Sequence, residues 1–338
     1  VDKHESNAYI KRTENLVNPD EVSIISLFGS MLGKAPVWLQ KPILEGSSKK
    51  NPHMGFVVDP YAFFLCHEIT NIELAQSLIP ANFKIVPARI FADCEPRPYV
   101  IFGAFNLHTS AFSGSRVEMY IIAEDQDTGL LSWVITDYDT NTLSFDPGQG
   151  FVSGTTKTST VTTTHRGTVL VDMQARESGR RIAAEADLAD AVMTPLDQRL
   201  WLEGNTSVAY GNELDDGRNT PFGLLFDPDE MKQALRIPLE ATEVEELSWH
   251  KGLFAAEPSV VACFPYAQHF ITSSVPTETN IKTAEQLEAA VVALNAGPPS
   301  KGFSSSKIRL GVVAGVATST VITWSLIFWV LVHLQQAH

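Results

Sequence analysis

A single uninterrupted run divides this chain into two unequal parts. From Leu310 to Leu334 it reads LGVVAGVATSTVITWSLIFWVLVHL, 25 residues without Lys, Arg, Asp or Glu. At ~1.5 Å rise per residue a helix of that run reaches roughly 37 Å, enough to cross a ~30 Å hydrocarbon core with some tilt. A soluble core helix of this length carries a polar face, and this run has none. Trp324, Trp329 and His333 fall towards its far end, where interfacial anchors are expected. The sequence therefore predicts one transmembrane helix over 310–334, in contact with membrane lipid, and a large polar part before it.

The flanks set an orientation. Lys301, Lys307 and Arg309 precede the run, whereas the QQAH that follows has no Lys or Arg. The positive-inside rule places the N-terminal part on the cytoplasmic side, or on the equivalent matrix or stromal side of an organelle. The opening VDKHESNAYIKRTENL has no apolar core of the signal-peptide kind. Three cysteines, Cys66, Cys94 and Cys263, suit a reducing compartment better than a disulfide framework. A tail-anchored, single-pass membrane protein is the expectation. Every charged side chain precedes residue 310, so the net charge of −14 belongs to the polar part. Phosphate backbones would be repelled by it, and no nucleic-acid partner is expected.

Within the polar part, residues 1–52 read as an N-terminal arm with a short helix. Asn18 is its N-cap, Pro19 its first residue, and VSIISLFGSML runs to about Gly33. That helix packs on the domain or lies in the membrane interface. Residues 53–296 form the main domain. YAFFLCHEI, RPYVIFGAFNLHTSAF, SRVEMYIIAE, LLSWVITDY and TKTSTVTTTHRGTVLVDMQ are rich in β-branched and aromatic residues and read as strands. Turn chemistry separates them at Asp127-Thr128-Gly129, Asp139-Thr140-Asn141 and Asp146-Pro147-Gly148. A short helix is expected from Ile72 to Leu78, stopped by Pro80. Others are expected over Pro195–Leu202, Pro228–Ala234 and Thr283–Leu294. Further strands are expected near Ser207–Tyr210, Glu243–Lys251 and Ser259–Phe264. Residues 297–309 form a flexible tether.

Several chemical motifs fail on inspection. Asp137-Tyr138-Asp139-Thr140-Asn141 starts like a calcium loop, but Thr142 stands for the required Gly and Gly148 for the bidentate Glu. Glu213, Asp215, Asp216 and Gly217 read as a hairpin turn. Nine histidines provide no HExxH and no zinc spacing, and no dinucleotide, phosphate-loop or GxSxG signature occurs. No metal and no cofactor is expected. In the membrane run Gly311, Gly315, Ser319 and Thr323 recur every four residues, a small-residue stripe that would pack a second helix. Its partner is a second copy of this chain or another membrane protein.

From Tyr61 to Val161 the order of features resembles the acetoacetate decarboxylase superfamily. YAFFLCHEITNIELAQSLIPANFKIV has the family's strand and short helix ending in a Leu-Pro signature, here Leu78-Ile79-Pro80. FNLHTSAFSGSRVEMYII then aligns Glu118 with the family's carboxylate. Gly154-Thr155-Thr156-Lys157-Thr158 stands where the family has Gly-x-Pro-Lys-Lys. The resemblance implies an α+β fold, mainly antiparallel β, as a barrel or cone with flanking helices. It also implies a Schiff-base lysine at Lys157 and an acid/base or orienting Glu118. That chemistry needs a neutral amine, which the family secures by apolar burial beside a second cation. Here the second Lys is Thr158, the Pro is Thr156, and the family's N-terminal Arg falls near Asp59. Arg116, Arg166 and His165 are the remaining candidates to bind a ligand. Two functions follow: a membrane-tethered small-molecule-binding or accessory subunit of a membrane assembly, or a decarboxylase-like lyase acting on a keto acid. A purely structural subunit with a filled barrel is a third.

Overall fold

The computed structural model describes residues 53–109, 113–127, 129–142, 144–146, 150–152, 154–203, 208–210 and 225–273, with positions 36 and 289. The chain divides into two units, Val1–Pro298 and Pro299–His338, and every element below belongs to the first. The expected helices over 18–33 and 283–294, the turn at 213–217, the tether, the membrane run and its stripe (Gly311, Gly315, Ser319, Thr323) lie outside the described residues. Among the described residues no helix is long and apolar enough to cross a membrane.

The chain opens with β1 (His53–Val58), β2 (Ala62–Glu68), the helix α1 (Ile72–Ser77), β3 (Phe83–Ile85), β4 (Tyr99–Thr109), β5 (Ser113–Asp125) and β6 (Leu131–Thr140). A small hairpin of β7 (Ser144–Asp146) and β8 (Gly150–Val152) follows, then β9 (Thr156–Thr163), β10 (Thr168–Ala175) and β11 (Arg181–Asp187). The last strands are β12 (Val192–Pro195), β13 (Val208–Tyr210), β14 (Leu225–Phe226), β15 (Gln233–Ile237), β16 (Thr242–Leu247), β17 (Val260–Phe264) and β18 (Gln268–Ser273). The class is mainly antiparallel β with few helices.

Twelve strands form one sheet, and β4 is its hub. One edge of β4 pairs with β5, while the other is shared, residues 99–104 with β2 and 107–109 with β1. Splitting one edge between two neighbours makes the sheet branch. One branch runs through β17 and β15 to β12, the other through β18 to β14. This corrects the expected barrel: among the described strands the sheet does not close on itself.

The main sheet buries both faces, which is why β2 and β4 read as nearly continuous apolar runs rather than as alternation. On one face Phe64 meets Trp133, Trp201 and Phe264 edge-on, with ring centroids 5.5–6.2 Å apart. Gly103 permits this packing, because a Cβ there would come within 2.9 Å of the Phe64 ring and 3.2 Å of Tyr120. Against the other face lies a second sheet, β16-β11-β10-β9. Its Val161, Val169, Val171, Met173, Ile182 and Ala184 join Phe102, Val117, Met119 and Ile121 in one core.

Local expectations hold where chemistry is local. α1 starts at Asn71, whose side chain accepts from Leu74 N at 3.0 Å, and ends before Pro80. Three readings are corrected. The run 156–174 is a hairpin, turning at Thr164–Thr168 with Gly167 at φ 84°. β6 continues through Thr140, so the chain turns at Asn141 rather than at Asp139. The helices expected at 195–202 and 228–234 shrink to single turns over Arg199–Glu203 and Pro228–Met231, because pairing with β15 and β17 takes the flanking residues into strands.

Candidate functional site

Successive side chains of a strand point to opposite faces. In β5 this sends Val117 and Met119 into the core shared with the second sheet, and Arg116, Glu118 and Tyr120 to the aromatic face. Glu118 is 6% exposed and Arg116 7%. Arg116 Nε forms an ion pair with Glu118 Oε1, and the Tyr120 hydroxyl donates to Glu118 Oε2. The Arg116 guanidinium lies 4.2 Å from the centre of the Tyr138 ring. Gly103 and Tyr138 are the register partners of Glu118 on β4 and β6. The missing Cβ of Gly103 leaves room for Tyr120 beside Phe64. The result is a carboxylate, a guanidinium and two phenols gathered on an otherwise apolar face.

Lys157 is elsewhere. Thr156 pairs with Ala175 and Thr158 with Gln174, so Lys157 is the extra residue of a β-bulge. Its side chain is exposed, as is that of Thr158. β9 belongs to the second sheet, which covers the opposite face of β5 from the one that Glu118 occupies. Gly154, three residues earlier, approaches the Asn141 backbone so closely that a Cβ would sit 2.8 Å from its carbonyl carbon. His165 and Arg166 are exposed in the β9–β10 turn and not within a strand. Of the residues singled out in sequence, the structure brings Glu118 and Arg116 together and leaves Lys157, His165 and Arg166 apart from them.

A second polar group went unnoticed in sequence. The bulge at Thr136, where Tyr120 pairs with Ile135 and Met119 with Asp137, reverses the facing of β6. Tyr138 therefore lies beside Glu118, while Asp137 and Asp139 turn towards the second sheet. There Arg180, between β10 and β11, donates from Nε to Asp139 at 2.6 Å and from Nη2 to Asp137 at 2.8 Å and to the Tyr138 carbonyl at 2.9 Å. The Thr155 hydroxyl donates to Asp139 at 2.7 Å, and His250 Nε2 is 3.3 Å from Asp137. The guanidinium stacks 3.9 Å from the Trp249 ring centre. Burial pushes the Asp137 carboxyl up, but hydrogen bonds from His250 and Arg180 outweigh it and hold the group below its ordinary value. Alternating Asp137 and Asp139 were visible in sequence; the Arg that claims them, about forty residues on, carried no signal. Among the described residues no group of three or more His, Cys, Asp or Glu is arranged to hold a metal.

No protein-family model matches this chain, and no curated protein matches it. Among solved structures it is similar to an acetoacetate decarboxylase from Legionella pneumophila, at 12% identity and a TM-score of 0.39, over 64% of this chain and 84% of that one. At that identity no residue role is carried across.

Proposed function

We propose that this chain is a membrane-tethered protein that binds a small oxo-containing or hydrophobic molecule, alone or as an accessory subunit of a membrane assembly, and does not turn it over as a Schiff-base lyase. The observation that supports this most is the separation of Lys157 from Glu118. A lysine amine is activated by apolar burial or by a neighbouring cation. Lys157 is exposed, its neighbour Thr158 is neutral, and Arg116 is engaged with Glu118 on the far face of β5. The Arg116–Glu118–Tyr120 group is suited instead to orient a polar head while aromatic side chains hold an apolar body. The tether rests on the uncharged run 310–334 and on the basic residues before it.

The test uses the detergent-solubilised full chain with acetoacetate and related keto acids. Borohydride is added and adducts are mapped by mass spectrometry, with binding followed in parallel by calorimetry. Expected are no reduced adduct on Lys157 and stoichiometric binding that weakens at least about tenfold, or 1.4 kcal/mol, in the double variant Arg116→Met, Glu118→Gln. Both partners are changed together because removing one alone would strand a buried charge. A reduced adduct on Lys157, lost in Lys157→Ala, would overturn the binding reading in favour of the lyase.

A further inference from the structure

We propose that Ser113, His108 and Asp59 form a nucleophilic relay able to accept an acyl group from a small, unhindered carboxylic ester. The place is distinct from the Arg116–Glu118 group. His108 and Ser113 are register partners across the β4–β5 hairpin, so their side chains stand side by side on one face. Ser113 Oγ is 2.6 Å from His108 Nδ1. On the other side of the ring, Nε2 lies 2.9 Å from one carboxylate oxygen of Asp59 and 3.0 Å from the other. Asp59 follows β1 directly. Its N–H donates to the Asn106 carbonyl at 2.9 Å; Val57 is the register partner of His108, so Asp59, two residues on, lies on the same face diagonally from it. Backbone pairing thus fixes all three residues, and no long flexible side chain has to find its place.

The carboxylate decides the proton positions. It can only accept, so the imidazole proton resides on Nε2, and Nδ1 presents its lone pair to the Ser113 hydroxyl. That is the order a nucleophile, its base and the group orienting the base require. In the first step Ser113 Oγ bonds to the ester carbonyl carbon and its proton passes to Nδ1. The tetrahedral adduct collapses, its bond to the alcohol oxygen breaks, and Nδ1 returns the proton to the leaving alkoxide. Water then attacks the acyl-Ser113 ester with Nδ1 as base. The carboxylic acid leaves as the Ser113 bond breaks, and the proton goes back to Oγ. No oxidant, metal or cofactor enters the balance. The His108 and Asp59 side chains are 42% and 38% exposed, which favours short acyl groups and good leaving groups over a deeply bound substrate.

The full chain in detergent is treated with a fluorophosphonate probe and, separately, with p-nitrophenyl acetate. Labelling is timed and the modified peptide is mapped. A covalent adduct on Ser113 is expected, absent in Ser113→Ala and formed about a hundredfold more slowly in His108→Ala. Asp59→Asn should slow labelling, and Asp59→Glu should restore most of it, which a merely structural carboxylate would not do. Circular dichroism on each variant confirms an unchanged fold, as expected for side chains this exposed. No adduct on Ser113, or labelling of His108→Ala at the wild-type rate, overturns the relay. Labelling of Asp59→Asn at the wild-type rate removes Asp59 from it. Neither result bears on Lys157 or on binding at Arg116.

Discussion

Burial brings the His67 imidazole from its ordinary value of 6.5 down to about 4, against the upward pull of its hydrogen bond to the Ala255 carbonyl. His67 is fully buried in β2, with Nδ1 2.9 Å from the Ala255 carbonyl and its ring packed against Phe102 and Phe254. Between pH 6.5 and 4 the unfolded chain therefore binds a proton that the folded chain refuses. Stability is complete above about 6.5 and falls as the pH drops, by ~3 kcal/mol in all. Denaturant midpoints from pH 7.5 to 4.5 should fall more steeply for wild type than for His67→Leu; parallel curves would refute the assignment. At the same scale, burial pushes the Cys263 thiol up to about 12 and the Cys66 thiol well above its ordinary value. Both are structural side chains. Nothing in the sequence around His67 distinguishes it from the other eight histidines, because its perturbation comes from burial against rings on β4 and beyond, and its carbonyl partner lies 188 residues away.

Elements are joined here by a few polar contacts whose partners come from different strands. Arg180 ties the end of β6 to the β10–β11 connection and stacks on Trp249, so it spans the main sheet and the second sheet. Its removal would leave Asp139, 3% exposed, without its cation. Arg180→Ala should cost about 3–5 kcal/mol in denaturant unfolding. Arg180→Lys should recover only part of this, since a point charge cannot reproduce two forked contacts and a stacked plane. A loss under about 1 kcal/mol, the range of surface pairs, would show that the cluster is not a clamp. Strand existence was legible for β2, β4, β5, β6 and β17, whose apolar and β-branched runs are long or dense. It was not legible for β11 and β12, where RIAAEAD and VMTP carry little strand character and are recruited by β10, β16 and β15.

For the whole molecule, the proposed anchor makes a direct prediction. The full chain should remain with membranes through alkaline carbonate extraction, and a chain ending at Pro298 should appear in the supernatant. Release of the full chain by carbonate would contradict a spanning helix. The same truncation should leave labelling of Ser113 unchanged, since that relay is built from β4, β5 and the residue after β1.

Sequence by itself determined the features that depend on neighbours along the chain. These are the uncharged run and its basic flank, the short helix from Ile72 with its Pro80 stop, and the dense apolar strands. Arg116 and Arg166 were equal candidates in sequence, and only the strand placed Arg116, two residues from Glu118, on the same face. Tertiary structure alone decided what depends on pairing. The branching at β4 replaced the expected barrel, and the bulge at Thr136 sorted Tyr138 from Asp137 and Asp139. Lys157 and Glu118, aligned by a family-like spacing, came to lie on opposite sides of β5. The physical reason is the two-residue period of a strand: a bulge of one residue, or a change of sheet, reverses which face a side chain occupies. Spacing along the chain does not carry that information. Asp59 shows the same limit, since it meets His108 across 49 residues only because β1 pairs with β4.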